Sequence, residues 1–167
     1  MLRIFREDDF DAALALEDDA AAARWVPELP AADGAGVTAF YETYRNQGSL
    51  LHLVIADPVT DAYLGEMTLA LGEDRVGELG LGLTPAARGR GIATEALVAL
   101  TDWAFAELGL GRMQVFVAPE NGAALRLAER AGFRREGVLR AYWEDGEKRL
   151  DVIILARLPG DEVADYA

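Results

Sequence analysis

Between Val76 and Leu83 the chain reads VGELGLGL, an alternation that places Leu79, Leu81 and Leu83 on one face and Glu78, Gly80 and Gly82 on the other. A period of two predicts a half-buried β-strand. From Gly91 the period changes: Ile92, Ala96, Ala99, Leu100, Trp103 and Ala104 recur at helical spacing, and Gly109 supplies a stop. Strand, short turn and helix therefore follow one another directly. The flanking segments complete the order. LRIF predicts an opening strand, and DDFDAALALEDDAAAARW a helix with an aspartate start. VPELPAADGAG is a Pro/Gly loop, and VTAFYETYRNQG predicts a short helix ended by Gly48. SLLHLVIA and AYLGEMTLAL are strand-like and divided by turn signals, and MQVFV has the composition of a short, fully buried strand. PENGAALRLAERAGF predicts a helix with Asn121 as N-cap and Gly132 at its end. FRREGVLRAYWEDGEKRLDVIILARL predicts two long strands about an EDGEK turn. The order β α α β β β α β α β β, with seven strands, predicts one mixed α/β (α+β) domain over residues 1–167, its last residues 160–167 a short C-terminal tail.

Length agrees, since 167 residues suffice for one domain with a full core. The longest apolar runs, such as Val152–Ala156, fall far short of a membrane span, so no membrane partner is expected. The start MLRIFREDDF turns acidic at once and does not resemble a secretory signal, which makes the cytoplasm the default location. Zero cysteines exclude a disulfide framework, a thiolate zinc site and a cysteine nucleophile, and no metal is expected. A net charge of −13, from 29 acidic and 16 basic side chains, argues against nucleic acid and mildly favours a cationic partner.

Against that field, the stretch LTPAARGRGIATEAL concentrates positive charge and bare backbone at a helix start. The first amides of a helix have no partners within it, and the macrodipole adds about half a positive charge there. Glycine lets an oxygen approach those amides, and Arg88 and Arg90 can add charge-assisted hydrogen bonds. By residue chemistry the stretch fits either a phosphate-bearing ligand or a tight strand–helix turn with solvated arginines. Its spacing matches neither a Walker P-loop nor GxGxxG.

Arg88-Gly89-Arg90-Gly91-Ile92-Ala93 satisfies the Gln/Arg-x-x-Gly-x-Gly/Ala signature of the Gcn5-related N-acetyltransferases (GNAT). NGAALRLAERAGF resembles that family's second cofactor-binding helix, and the long hairpin after it is similar to the RimJ/RimL-like branch. The resemblance covers about Leu64 to Leu158. It implies a central, mostly antiparallel mixed sheet of about seven strands with flanking helices, and acetyl-coenzyme A as co-substrate. It further implies that backbone amides from Arg88, Gly89, Arg90, Gly91, Ile92 and Ala93 hold the pyrophosphate. Leu81 and Leu83 would pair through backbone with the pantetheine arm at a bulge that splays the sheet, and Asn121 would touch the cofactor. Trp25 and Tyr44, in the N-terminal helices, would line the acceptor entrance beside Phe40 and Tyr41. Members often form dimers, so a homodimer is one expected assembly.

Acetyl transfer to an amine needs the amine neutral. Deprotonating a lysine side chain at pH 7 costs about 4–5 kcal/mol, an α-amine only about 1. Glu78, on the face left open by Gly80 and Gly82, is the first candidate base, Glu66 in the neighbouring strand a weaker one. The single histidine, His52, lies in mid-strand and reads as structural, so direct attack by the amine is the expected scheme. The chain departs from the family where an acid is often found: Ala128 replaces a tyrosine and Ala124 a serine, leaving Tyr142 as substitute. Asp151 reads as an ion-pair partner within the hairpin. The leading expectation is an acetyl-CoA-dependent N-acetyltransferase for a protein N-terminal α-amine or small-molecule amine; the alternative is a non-catalytic acyl-CoA-binding or sensor protein.

Overall fold

The computed structural model describes residues 1–17 and 50–163. In chain order they form β1 (Leu2–Ile4), a 3-10 turn (Glu7–Asp9), α1 (Phe10–Glu17), β2 (Leu50–Ala56), β3 (Tyr63–Leu71), β4 (Val76–Leu83), α2 (Ile92–Glu107), β5 (Arg112–Val117), α3 (Gly122–Arg130), β6 (Arg134–Asp145) and β7 (Lys148–Arg157). The seven strands form one sheet in the order β1-β2-β3-β4-β5-β7-β6. Pairing is antiparallel for β1–β2, β2–β3, β5–β7 and β6–β7, and parallel for β4–β5. A parallel neighbour needs a crossover, and α2 supplies it. The fold is the mixed α/β sheet that the sequence pattern predicts. The expected second N-terminal helix and the end of the first lie outside the described residues.

The chain clusters into two compact units, one built from the residues up to Ala70 plus Gly80–Gly89, the other from Leu71–Leu79 and the chain from Arg90 onward. In the first, Val54, Ile55, Ala56, Met67 and Leu69 are buried with Ala13, Leu16, Leu83 and Ala87. Gly65 has no Cβ because one would overlap the Gly82 carbonyl oxygen and lie 2.7 Å from Leu83 Cδ2. The 3-10 turn is tied down by Asp9, a buried carboxylate that accepts from the Arg6 amide at 2.8 Å. Both its oxygens also receive the Arg3 guanidinium at 2.7 Å. Arg3 pulls the Asp9 pKa down, against the upward push of burial, as a bidentate cation should.

In the second unit Leu97, Leu100 and Ala104 of α2 are buried, as are Met113, Val115 and Val117 of β5 and Val152, Ile153 and Leu155 of β7. Here the expectation for MQVFV needs correcting: β5 alternates, with Gln114 and Phe116 half-buried between fully buried neighbours and Arg112 half-buried at the strand's start. Phe133, behind the Gly132 turn (φ 86°), closes the end of α3 by donating its amide to the Ala128 carbonyl at 3.0 Å. The segment expected as a tail from residue 160 is anchored at Asp161, which meets Arg134 at 3.1 Å and accepts from the Leu158 amide at 2.9 Å.

Candidate active site

The strand–turn–helix stretch folds as its period change predicts. In the first unit, Thr84 ends β4 by bonding the Leu64 carbonyl with its amide at 2.9 Å, and Pro85–Ala87 makes a 3-10 turn. Arg88 then folds back so that Nε donates to the Leu83 carbonyl at 3.0 Å. One of its donors therefore braces the turn. Gly89 and Gly91 both take left-handed φ values, 72° and 79°, which non-glycine residues rarely adopt. A Cβ at Gly89 would meet nothing within 4 Å, and one at Gly91 only Glu95 Oε1 at 4.0 Å. Among the described residues, nothing crowds the space where these two side chains would stand. Gly91 is the N-cap of α2, and no side chain caps the helix. Among the described residues, no side chain is seen to accept from the leading amides of this 16-residue helix, a start whose dipole suits an anion. These residues fit a pyrophosphate.

Leu83 is buried and Leu81 half-buried on β4. The glycine face of that strand is a correction. Gly80 is closed by the Thr68 hydroxyl, which a Cβ would meet at 2.6 Å, and Gly82 by Leu16, which a Cβ would meet at 3.2 Å. The missing side chains accommodate protein neighbours, and that face is not left open. Glu66, the weaker candidate base, receives His52 Nε2 and the Tyr63 hydroxyl on one oxygen, each at 3.1 Å, while His52 stacks on Phe5 with centroids 4.9 Å apart.

In the second unit the strand register brings two expected residues to one face. Glu78 of β4 pairs with Gln114 of β5, the last pair of the parallel ladder. Two residues along β5, Phe116 stacks on Tyr142 with centroids 5.1 Å apart and planes 23° from parallel. Residues i and i+2 of a strand share a face about 7 Å apart, so Glu78 and Tyr142 flank the same side of β5. Glu78 is exposed in surface area, yet its surroundings desolvate the carboxylate and raise its pKa; a weaker pull from Gln114 opposes this. Gln114 is itself oriented. Its Oε1 accepts from Arg112 Nε at 3.2 Å, and Arg112 grips both Glu136 oxygens at 2.9 and 2.5 Å. That bond identifies the oxygen end of the amide and leaves the NH₂ end for Glu78.

Asn121 caps α3, its Oδ1 accepting from the Ala124 amide at 3.0 Å. Ala128 is buried and Ala124 half-buried, and neither carries a hydroxyl. Arg90 is exposed, Ile92 and Ala93 half-buried at the helix start. Asp151 also departs from expectation: it accepts a hydrogen bond from the Ala141 amide at 2.7 Å, a backbone role where an ion pair was expected. Trp25 and Tyr44, with Phe40 and Tyr41, lie outside the described residues. Sequence reasoning missed Gln114, Arg112 and Phe116, although polar and aromatic residues at every second position of RMQVFV carried the signal.

A mixed α/β sheet with a parallel β4–β5 pair leads through a glycine turn into a helix whose N-cap is glycine. The sequence model described as "Acetyltransferase (GNAT) domain" matches residues 1–134, and the chain belongs to this family. A probable N-acetyltransferase of Bacillus subtilis, YjcK, is 35% identical over 114 residues, 63% of each protein. The chain thus spans under two thirds of that relative. Among solved structures, spermidine N-acetyltransferase from Vibrio cholerae, in complex with CoA and spermine, superposes with a TM-score of 0.86 at 22% identity, covering 96% of each chain. Mycobacterium smegmatis RimJ, in complex with CoA-disulfide, gives 0.82 at 25% identity over 94% of this chain and 80% of its own. Among the described residues, no helix is long and apolar enough to cross a membrane.

Proposed function

We propose that this protein is an acetyl-CoA-dependent N-acetyltransferase in which an amine attacks the thioester directly. The observation that carries the reading is the shared face of β5, with Glu78 at Gln114 and Tyr142 at Phe116. Backbone amides of Arg88 to Ala93 would hold the pyrophosphate, and the backbone of Leu81 and Leu83 the pantetheine arm; Asn121 would touch the cofactor as the family resemblance implies. The thioester supplies an activated acetyl group. Glu78 takes the proton that the ammonium must lose, and its raised pKa brings it closer to that of an amine. As the new C–N bond forms and the C–S bond breaks, Tyr142 gives its hydroxyl proton to the departing sulfur, and the phenolate takes up the second proton that the acylated nitrogen releases. Acceptors compatible with the net negative charge are α-amines of protein N-termini and small cationic amines, a polyamine being the compound named for the Vibrio cholerae spermidine N-acetyltransferase.

Thiol release from acetyl-CoA over a panel of N-terminal peptides and polyamines, with mass spectrometry of the product, tests the reaction. Glu78→Gln should lower kcat at least tenfold while CoA binding is retained. Arg88→Ala with Gly91→Val should abolish CoA binding by calorimetry, and undiminished affinity contradicts the cradle. Alanine at both 124 and 128 favours a second reading, a non-catalytic acyl-CoA sensor of the same fold. It predicts tight CoA binding with no turnover on any amine.

A further inference from the structure

The hairpin β6–β7 carries an irregularity that the proposed reaction does not by itself require. Leu139 pairs with Val152 and Trp143 with Leu150, so Arg140, Ala141 and Tyr142 together oppose the single residue Asp151. Two residues are inserted. An even insertion leaves the faces of the strand beyond it unchanged, so the bulge alters the local path without inverting the hairpin. Ala141 sits in the left-handed region at φ 53°, where alanine is disfavoured, and must be held there. Two side chains of β7 do so. Asp151 Oδ1 accepts from the Ala141 amide at 2.7 Å, and Arg149 Nε donates to the Ala141 carbonyl at 2.8 Å. Arg149 Nη2 also reaches the Tyr142 carbonyl at 3.4 Å. Both polar groups of one peptide segment are thereby tied to the opposite strand, and the next residue is Tyr142, its ring laid on Phe116.

We propose that Asp151 and Arg149 are positioning residues for Tyr142, clamping the bulge so that the phenol stays against β5. The inference rests on the reading of Tyr142 as proton donor to sulfur. A purely structural clamp would stabilise the hairpin without changing chemistry in a Tyr142-dependent way.

The test compares Asp151→Ala, Asp151→Asn and Tyr142→Phe, singly and with Asp151→Ala in the Tyr142→Phe background, on the best amine of the panel. Asp151→Ala should lower kcat by about the factor that Tyr142→Phe does, with KM for acetyl-CoA within twofold. Asp151→Asn keeps an oxygen for the Ala141 amide and should restore at least half of the lost kcat. In the Tyr142→Phe background Asp151→Ala should cost nothing more. A full further loss there, or Asp151→Asn as impaired as Asp151→Ala, overturns the proposal. Where Asp151→Ala does not fold, Arg149→Gln takes its place with the same expectations. The aromatic NMR signals of Tyr142 and Phe116 separate the two levels. Their mutual ring-current shifts should collapse in Asp151→Ala and persist in Asp151→Asn, and unchanged shifts in Asp151→Ala refute positioning. Tyr142→Phe with wild-type kcat removes the acid reading while leaving that spectroscopic outcome to decide the clamp.

Discussion

Glu78 and Gln114 are the last register pair of the parallel ladder between β4 and β5, and they couple the charge of one strand to the polar network of the other. Burial raises the Glu78 pKa, and Gln114 pulls it down by favouring the charged form. The acidic limb of kcat/KM should therefore lie above the ordinary glutamate value of about 4.3. Gln114→Leu removes the opposing pull and should move that limb to still higher pH, while Glu78→Gln should abolish it. The linkage has a definite sign. A carboxyl whose folded pKa is raised contributes stability below its unfolded pKa and loses it as pH rises through the folded one. Urea titrations should then find Glu78→Gln more stable than wild type at pH 8, with the gap closing toward pH 4.

Gly65 offers a test of how β4 is held. Its absent side chain admits the Gly82 carbonyl and lies against Leu83, whose Cα a Cβ would approach to 2.9 Å. Backbone cannot rotate aside as a flexible side chain can. Gly65→Ala should therefore cost about 1–3 kcal/mol by denaturant titration. It should also raise KM for acetyl-CoA, because the displaced residues are those proposed to meet the pantetheine arm. Gly80→Ala presses on the Thr68 hydroxyl, which can turn, so its cost should be smaller.

What the sequence made legible was local. The alternation of VGELGLGL bounds β4 at Val76 and Leu83, the 3.6 period starts α2 at Ile92, and Asn121 caps α3 by a side chain three residues from its target. Glycine permits the left-handed backbone found at Gly89 and Gly91 but does not dictate it. Distant register was not legible. That Thr68 fills the space over Gly80, or that Gln114 faces Glu78, depends on which strand lies beside which. The bulge at Ala141 was hidden for the same reason: alanine gives no sign of a left-handed turn, and the restraining Asp151 lies ten residues on. Asp151 looked like half of an ion pair because residue type reveals charge and not the backbone group that receives it.

The Arg3–Asp9 pair should dominate acid sensitivity in the first unit. Asp9 is buried, and its pKa is lowered chiefly by Arg3. Arg3→Met leaves that carboxylate without its cation and should cost about 3–5 kcal/mol at neutral pH. A lowered folded pKa gives stability that is present above the unfolded value, about 3.9, and lost as pH falls through the folded one. The difference between wild type and Arg3→Met should thus be constant from pH 8 to about 5 and shrink on further acidification. An Arg3→Met protein whose deficit grows in acid would contradict this assignment.

Arg157 poses the opposite case, a charge whose removal should be tolerated. It is 6% exposed and bonds Asp102 through Nη2 at 2.8 Å, while Nε and Nη1 are buried with no hydrogen-bond partner among the described residues. Its guanidinium lies 6.0 Å from the Phe105 ring centroid, an apolar neighbour that a thioether would also suit. Desolvating a guanidinium costs several kcal/mol, and one ion pair to a half-exposed carboxylate offsets only part of this. Arg157→Met should therefore unfold within about 1 kcal/mol of wild type, or later. Asp102→Ala should cost about 3 kcal/mol, because it strands the buried cation with no anion. Adding Arg157→Met to Asp102→Ala should recover most of that loss. A double variant no more stable than Asp102→Ala would mean that Asp102 acts through its helix and not through Arg157.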